Sequence, residues 1–162
     1  MRDSFVLRSG VLRSGAKALT GLAAVVLLAA SASPAVSASA AMQLHVVERA
    51  ASDTVTDLGA KGDSAGDILT FSNDIYDGAN QTKIGVDNGY CIRTVVGKAW
   101  ECFWTIALAR GHITVEGPFL DDADSILAVT GGTGAYATER GEMLLHARDA
   151  KGSEYDFTYV LK

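Results

Sequence analysis

Proline and helical periodicity are scarce in this chain of 162 residues. Only two prolines are present, and Pro118 alone falls within residues 41–162, so little there interrupts the pairing of strands. Apolar residues do not repeat with a sustained helical period after the first forty residues, which argues against a helical domain. No Ser, His and Asp set stands in a recognisable local context, so the sequence gives no support to a hydrolase.

Positive charge is scarce beyond residue 40. Residues 41–162 hold ten Lys and Arg against eighteen Asp and Glu, for a net charge of −8. No cluster of Lys or Arg offsets this charge, and an acidic surface repels phosphate backbones. We therefore expect no nucleic-acid partner, and we interpret the acidity as a source of solubility for a secreted protein.

Histidines are few and scattered as well. His45, His112 and His146 lie far apart in the chain and match no zinc spacing. The acidic run DDAD (121–124) lacks the glycine and the distal glutamate of an EF-hand loop, so a solvated connection between strands is the favoured interpretation. We therefore expect no metal site, and we interpret His112 and His146 as surface residues.

The first forty residues have the order of a secretory signal peptide. A basic leader precedes the apolar run Leu19–Ala30, and Ala38-Ser39-Ala40 forms an A-x-A cleavage site. A retained membrane anchor is the weaker alternative, because the run falls short of the ~20 residues that a spanning helix needs. We expect residues 1–40 to be a signal peptide containing a signal helix. Residues 41–162 are then one secreted domain with no membrane contact after cleavage.

Short apolar stretches separated by Gly, Asn and Asp fill residues 41–162. Eight of them are candidate strands: MQLHVVER (42–49), DILTFSNDIY (67–76), TKIGVDNGYCIRTVV (82–96), AWECFWTIALA (99–109), HITVEGPFL (112–120), SILAVT (125–130), EMLLHARD (142–149) and EYDFTYVLK (154–162). Several alternate apolar and polar residues with period two, as half-buried strands do. Eight strands with tight links predict an all-β, antiparallel up-and-down barrel.

The interior of an eight-stranded barrel is either filled by side chains or holds one small ligand. Trp100, Trp104, Tyr155 and Tyr159 fall on the apolar faces of two candidate strands. Packing in the core and lining a ligand cavity both stay open for each of these four side chains.

The stretch AVTGGTGAYATERG (128–141) holds three glycines in four residues. A phosphate-binding P-loop needs Lys and then Ser or Thr after its last glycine, but Ala135 and Tyr136 follow Gly134. A dinucleotide-binding fingerprint needs a helix that opens from the glycines, whereas another amphipathic strand follows here. We interpret the glycines as a turn that needs positive φ or close backbone approach.

Cys91 and Cys102 are the only cysteines of the chain. A cysteine pair in an exported protein suggests a disulfide. The two positions are nearly equidistant from the Gly97-Lys98 turn and one residue out of register, which a β-bulge could absorb. A free thiol at Cys91 stays open as the alternative.

Five blocks together resemble the allene oxide cyclase barrel family. They are FSNDIYDG (71–78), GVDNGYC (85–91), GHITVEGPFL (111–120), LAVTGGTGAY (127–136) and FTYVLK (157–162), in the family's order and spacing. The segment GGTGAYATERG also resembles a turn of the plant dirigent proteins, which share that barrel. The resemblance implies an apolar cavity for a small hydrophobic ligand, no cofactor, and a homotrimer as in many plant relatives.

The resemblance also assigns site residues. Asn73 and Cys91 match the family's cavity asparagine and cysteine, and His45 stands where its catalytic glutamate belongs, so these three are the expected catalytic residues. Phe71, Pro118 and Phe119 are the expected ligand-binding residues, with Phe119 in place of the plant enzymes' tyrosine.

Three functions remain compatible with these observations. The first is a cofactor-free isomerase or cyclase that holds an apolar substrate in one conformation, which can remove several kcal/mol of activation barrier. The second is a non-catalytic carrier of a lipophilic molecule. The third is an interaction barrel with a packed interior.

Overall fold

The strands of this protein close on themselves as an antiparallel barrel. The computed structural model describes residues 41–162, so the expected signal peptide (1–40) lies outside the described residues. The strands are β1 (Met42–Arg49), β2 (Thr54–Thr56), β3 (Ile68–Phe71), β4 (Asp74–Asp77), β5 (Lys83–Val95), β6 (Ala99–Leu108), β7 (Gly111–Leu120), β8 (Ser125–Gly132), β9 (Gly141–Ala147) and β10 (Glu154–Leu161). Within the described part, no helix is long and apolar enough to cross a membrane.

Ten strand segments occupy eight positions in the barrel. From β5 to β10 each strand pairs with its neighbour in sequence, and β1 pairs with β10 over eight residue pairs. The ring closes where β4 pairs with both β1 and β5. β3 pairs further along β5, so β3 and β4 share one position, while the short β2 pairs with β3. The predicted eight-stranded antiparallel barrel is confirmed.

Alternation along the strands decides which side chains face the interior. On β6 the predicted apolar face is buried: Trp104 is 2% exposed and Ile106 is fully buried, whereas Glu101 is exposed. On β10, Phe157 and Tyr159 are likewise almost fully buried. Period two in the sequence therefore predicted these inward faces correctly.

The predicted disulfide between Cys91 and Cys102 is confirmed. The two residues lie directly opposite each other on β5 and β6, with Cα atoms 4.0 Å apart. A register shift between Arg93 and Val95 absorbs the one-residue mismatch around the turn. The free-thiol alternative for Cys91 is therefore wrong, because both sulfur atoms are in the bridge. By the loop-entropy account, a bridge of this span contributes about 2–3 kcal/mol to stability.

The glycine-rich stretch is a turn, as predicted. It ends β8 and leads into a single 3₁₀ turn at Gly134–Tyr136. Gly134 has φ +57°, and a Cβ atom there would lie 2.5 Å from the Arg110 carbonyl oxygen. At Gly132 a Cβ atom would lie 2.7 Å from the His112 carbonyl oxygen. Positive φ and close approach therefore explain these two glycines.

Turn-forming residues act differently in two of the predicted strands. Asp87, Asn88 and Gly89 are residue types that favour turns, but they continue β5 without interruption. The predicted strand at 67–76 is instead broken at Ser72-Asn73 into β3 and β4. This break places Asn73 inside the barrel, next to the site described below.

Candidate active site

A cavity opens into the barrel interior beside the break between β3 and β4. The cavity has a volume of about 60 Å³. The empty space is about 410 Å³ when the mouth that opens to solvent is included. Its walls are Glu48, Asp53, Leu69, Phe71, Cys91, Cys102, Trp104, Phe119, Leu145, Tyr155 and Phe157. The lining is therefore mainly aromatic and aliphatic, with two carboxyl groups and one phenol.

Aromatic rings form a continuous wall of the cavity. The Trp104 ring lies 5.9 Å from Phe71 and 5.6 Å from Phe157, measured between ring centroids. Gly89 makes this packing possible, because a Cβ atom there would lie only 2.8 Å from the Phe71 ring. Edge-to-face and tilted ring pairs of this kind each contribute about 0.5–1.5 kcal/mol beyond the area that they bury, so they stabilise this wall.

Asn73 holds the acidic end of the cavity in place. Its side chain is 2% exposed, and its Oδ1 accepts hydrogen bonds from the backbone N–H groups of Ala51 and Ser52, at 3.0 Å each. Its Nδ2 donates to Glu48 Oε1 at 2.9 Å and to Asp53 Oδ1 at 2.8 Å. The strand break therefore lets one buried amide position two carboxyl groups.

A second buried carboxyl group stands behind Glu48. Asp87 on β5 is fully buried, and its Oδ1 accepts a 3.0 Å hydrogen bond from the Asn73 backbone N–H. The carboxyl groups of Asp87 and Glu48 each influence the pKa of the other. Two carboxylates that interact in this way cannot both ionise easily.

Burial raises the pKa of both carboxyl groups. The pKa of Asp87 rises to about 6, and burial is the largest cause. The pKa of Glu48 rises well above its usual value because of burial and, next, the negative charge of Asp87. The pair therefore retains a proton more readily than exposed carboxyl groups do, and Glu48 is its member that lines the cavity.

Several polar atoms near this pair lack a hydrogen-bond partner among the described residues. They are Asp87 Oδ2, the Trp104 indole N–H and the Tyr159 hydroxyl, all buried. Burial raises the pKa of the Tyr159 hydroxyl well above the usual value. A proton on Glu48 would give Asp87 Oδ2 the donor that it lacks.

The comparisons with known proteins agree with this fold. The family model described as allene oxide cyclase matches residues 34–151. The chain belongs to the allene oxide cyclase family.

Solved structures with the same barrel include a pyocyanin demethylase. It is 26% identical, with a TM-score of 0.64, and the match covers 75% of this chain and 100% of that one. A pterocarpan synthase dirigent protein is 14% identical, with a TM-score of 0.60 and coverage of 75% and 82%. The Diels-Alderase AbmU from Streptomyces koyangensis is 14% identical, with a TM-score of 0.59 and coverage of 75% and 68%.

Four of the residues expected from the allene oxide cyclase family lie at or beside the cavity. Phe71 and Phe119 line it, as does Cys91 through its disulfide. Asn73 is buried next to it, but all its amide contacts are to protein atoms, so it acts as a positioning residue for Glu48 and Asp53. Cys91 cannot act as a catalytic thiol, because it is bonded to Cys102.

Two other residues expected from the family lie elsewhere. His45 stands on the outer face of β1, since Leu44, Val46 and Glu48 take the inner positions; its side chain is 44% exposed and contacts Asp156 at 2.8 Å. Pro118 is exposed on the outer face of β7, one residue out of phase with Phe119. Neither side chain reaches the cavity, so the expected roles of His45 in catalysis and Pro118 in ligand binding are corrected.

Sequence reasoning missed the carboxyl groups. Glu48 lies two and four residues after Val46 and Leu44 on β1, so the three side chains share one face of the strand. This alternation could have placed Glu48 inside the barrel. Asp87 shares the parity of Cys91 on β5 but stands in a run of turn-forming residues, which hid it. Asp53 follows the end of β1 and reaches the site only through the irregular chain after it.

The acidic loop after β7 is not wholly solvated. Asp121 accepts two hydrogen bonds from the guanidinium of Arg93, at 2.7 and 2.8 Å, and Arg93 also stacks on Trp100. Within residues 41–162, no three acidic, His or Cys side chains are grouped so as to hold a metal ion.

The raised pKa values of Glu48 and Asp87 predict a pH-dependent stability. Because the pKa of both carboxyls is raised in the folded state, the folded protein holds protons that the unfolded chain releases above about pH 4. We expect the free energy of unfolding to fall by about 1–3 kcal/mol from pH 5 to pH 7.5. Asp67, Asp77 and Asp149 have lowered pKa values, so they change the free energy of unfolding at pH values below 5.

Urea denaturation at the two pH values measures this difference. The Asp87→Asn variant should flatten it, because the amide keeps an oxygen for the Asn73 N–H and removes the repulsion on Glu48. Equal pH dependence in the wild type and in this variant would show that other groups dominate.

Proposed function

We propose that this protein is an acid–base catalyst of the isomerase or cyclase type, acting on a small, mostly apolar, unsaturated molecule held in the cavity. The single observation that carries the proposal is the position of Glu48, a buried carboxyl group that lines an aromatic cavity and whose pKa burial raises well above its usual value. General acid–base catalysis by a positioned carboxyl group contributes about 10²–10⁴-fold to rate.

The chemistry requires only groups that the chain supplies at the cavity. Glu48 would donate a proton to the bound molecule, and Asp87 behind it would stabilise the proton on Glu48 before transfer and the changed charge afterwards. The aromatic wall would hold the flat substrate in one orientation and exclude water. Asn73 would keep Glu48 aimed at the cavity through its Nδ2 hydrogen bond.

Relatives of known structure support an action on small molecules. The protein that is 26% identical is named as a pyocyanin demethylase, and others with this barrel are named as a pterocarpan synthase and a Diels-Alderase. We also propose that the protein works outside the cytoplasm, which the disulfide supports because such bonds persist in oxidising compartments. The homotrimer suggested by the family stays a prediction.

The proposal is tested first by binding. The neutral fluorescent probe N-phenyl-1-naphthylamine should bind with enhanced emission, and Leu145→Trp, which fills the cavity, should abolish the enhancement. Ile126→Trp, which adds the same ring at an exposed position on β8, should not. If both variants still bind the probe, then the probe, and by inference the ligand, binds outside the cavity.

Catalysis is tested next by proton exchange. Unsaturated molecules that displace the probe are incubated with the protein in D₂O, and mass spectrometry measures the deuterium that they take up. Uptake or isomerisation is the expected result. Displacement without uptake or conversion for the whole panel would favour the non-catalytic carrier.

A further inference from the structure

Within residues 41–162, the carboxyl groups that line the cavity have no cationic partner. The lining contains Glu48 and Asp53 but no Lys, Arg or His. Arg49, the residue after Glu48, points outward, stacks on Tyr76 at 3.7 Å and donates to Asn80. Negative charge therefore accumulates at one end of an apolar cavity without an internal ion pair.

Every other polar group that faces Glu48 is acidic or neutral. Asp87 comes from β5, Asp53 from the chain after β1, Asn73 from the strand break, and Tyr155 with Tyr159 from β10. This end of the cavity therefore lacks a donor with positive charge among the described residues.

The aromatic wall favours a cation as well. Trp104, Phe157, Phe71 and Phe119 line the cavity. The face of an aromatic ring carries the negative side of its quadrupole, so it attracts a cation held over it. Aromatic faces and carboxyl groups together form the surroundings in which a delocalised or quaternary cation is best stabilised.

We propose that the molecule bound in the cavity is a flat, mostly apolar cation, held with its charged nitrogen toward Glu48 and Asp53 and its rings against Trp104 and Phe157. This inference rests on the proposed function, because it names the class of the ligand in the same cavity. Binding of the cation makes Glu48 a stronger acid. The cation therefore competes with the proton for that carboxyl group, and the same effect favours the proton transfer to the bound molecule that the proposed function requires.

Two consequences follow from that competition. The cation should bind more tightly as the pH rises from 5 to 8, because Glu48 is then protonated in a smaller fraction of the molecules and fewer protons must be displaced. Binding should release protons, and the number released should depend on the pH within this range. A neutral ligand of the same shape should show neither effect.

A matched pair of probes tests the charge alone. The cation 1-methylquinolinium and the neutral 1-methylnaphthalene have nearly the same shape, and both can be titrated against bound N-phenyl-1-naphthylamine. We expect the cation to displace the probe with at least tenfold higher affinity at pH 7.5, and this preference to shrink at pH 5. The double variant E48Q/D53N should reduce the preference to about one.

The control variant is Glu101→Gln, which removes an equal charge from the exposed face of β6. It should leave the preference unchanged, so that a general effect of net charge is separated from the cavity carboxyls. Equal or tighter binding of 1-methylnaphthalene at pH 7.5 would overturn the cationic ligand while the cavity function stands. Failure of the wild type to bind N-phenyl-1-naphthylamine would overturn the cavity function itself.

Discussion

Replacing Glu48 with glutamine should lower the rate of proton transfer to a bound ligand by about 10²–10⁴-fold and leave the barrel folded. The side chain is 5% exposed and is the only carboxyl group that both lines the described cavity and is buried. Glutamine keeps an oxygen for the Asn73 Nδ2, and its own amide can donate to Asp87 Oδ2. The substitution therefore removes the transferable proton and little else.

The measurement is the initial rate of deuterium uptake by the ligand, with thermal unfolding as the check on the fold. Glu101→Gln provides the matched control, because it makes the same chemical change at an exposed position on β6. Wild-type exchange by E48Q would show that Glu48 is not the proton donor. Glu48→Asp should fall between the two, since it keeps the carboxyl group but withdraws it by one methylene.

Replacing Asn73 with leucine should lower the free energy of unfolding by about 3–5 kcal/mol. The leucine leaves the N–H groups of Ala51 and Ser52 without an acceptor and removes the donor from Glu48 and Asp53. A buried polar group that loses its partner costs about 1–3 kcal/mol, which applies to Glu48. Ala51, Ser52 and Asp53 are exposed, so their loss is smaller and adds to this cost. The same amide, at the break between β3 and β4, positions Glu48 and Asp53. The substitution should therefore affect both the stability of the barrel and the geometry of the site.

Urea denaturation measures the loss, with Asn88→Leu on the exposed face of β5 as the control for the same substitution. A change below about 1 kcal/mol in Asn73→Leu would show that the contacts of the amide are replaceable. Asn73→Asp separates hydrogen bonding from shape: it keeps the side-chain oxygens but places a fourth carboxyl group beside Glu48, Asp53 and Asp87. It should therefore destabilise more at pH 8 than at pH 5.

Local alternation was enough to predict the strands and the inward faces of β6 and β10. It also predicted the disulfide, because the two cysteines flank one turn and a bulge corrects their register. Each of these features depends on residues that are close in sequence, so the pattern within one hairpin contains the necessary information.

The acidic site could not be predicted in this way, because it depends on contacts between distant strands. Glu48 on β1 and Asp87 on β5 meet only after β4 has paired with both strands. A charged residue in a strand is usually exposed, and no residue near Glu48 in sequence indicates that Asp87 is its partner. The family resemblance pointed to Asn73, which is buried beside the cavity. It also assigned chemistry to His45, which the alternation of β1 places on the outer face of the barrel.

The pairing of β1 with β10 has a consequence for how the protein is made. All other neighbours from β5 onward are consecutive hairpins, which can form as the chain emerges, whereas this seam joins the beginning of the domain to its last eight strand residues. Ring closure must therefore wait for the whole polypeptide, and contacts between such distant segments form slowly. Until then β1 and β9 present open edges, and the cavity lacks Tyr155 and Phe157. A nascent chain therefore has no complete cavity, so under the proposed function the small molecule is bound only after synthesis is complete.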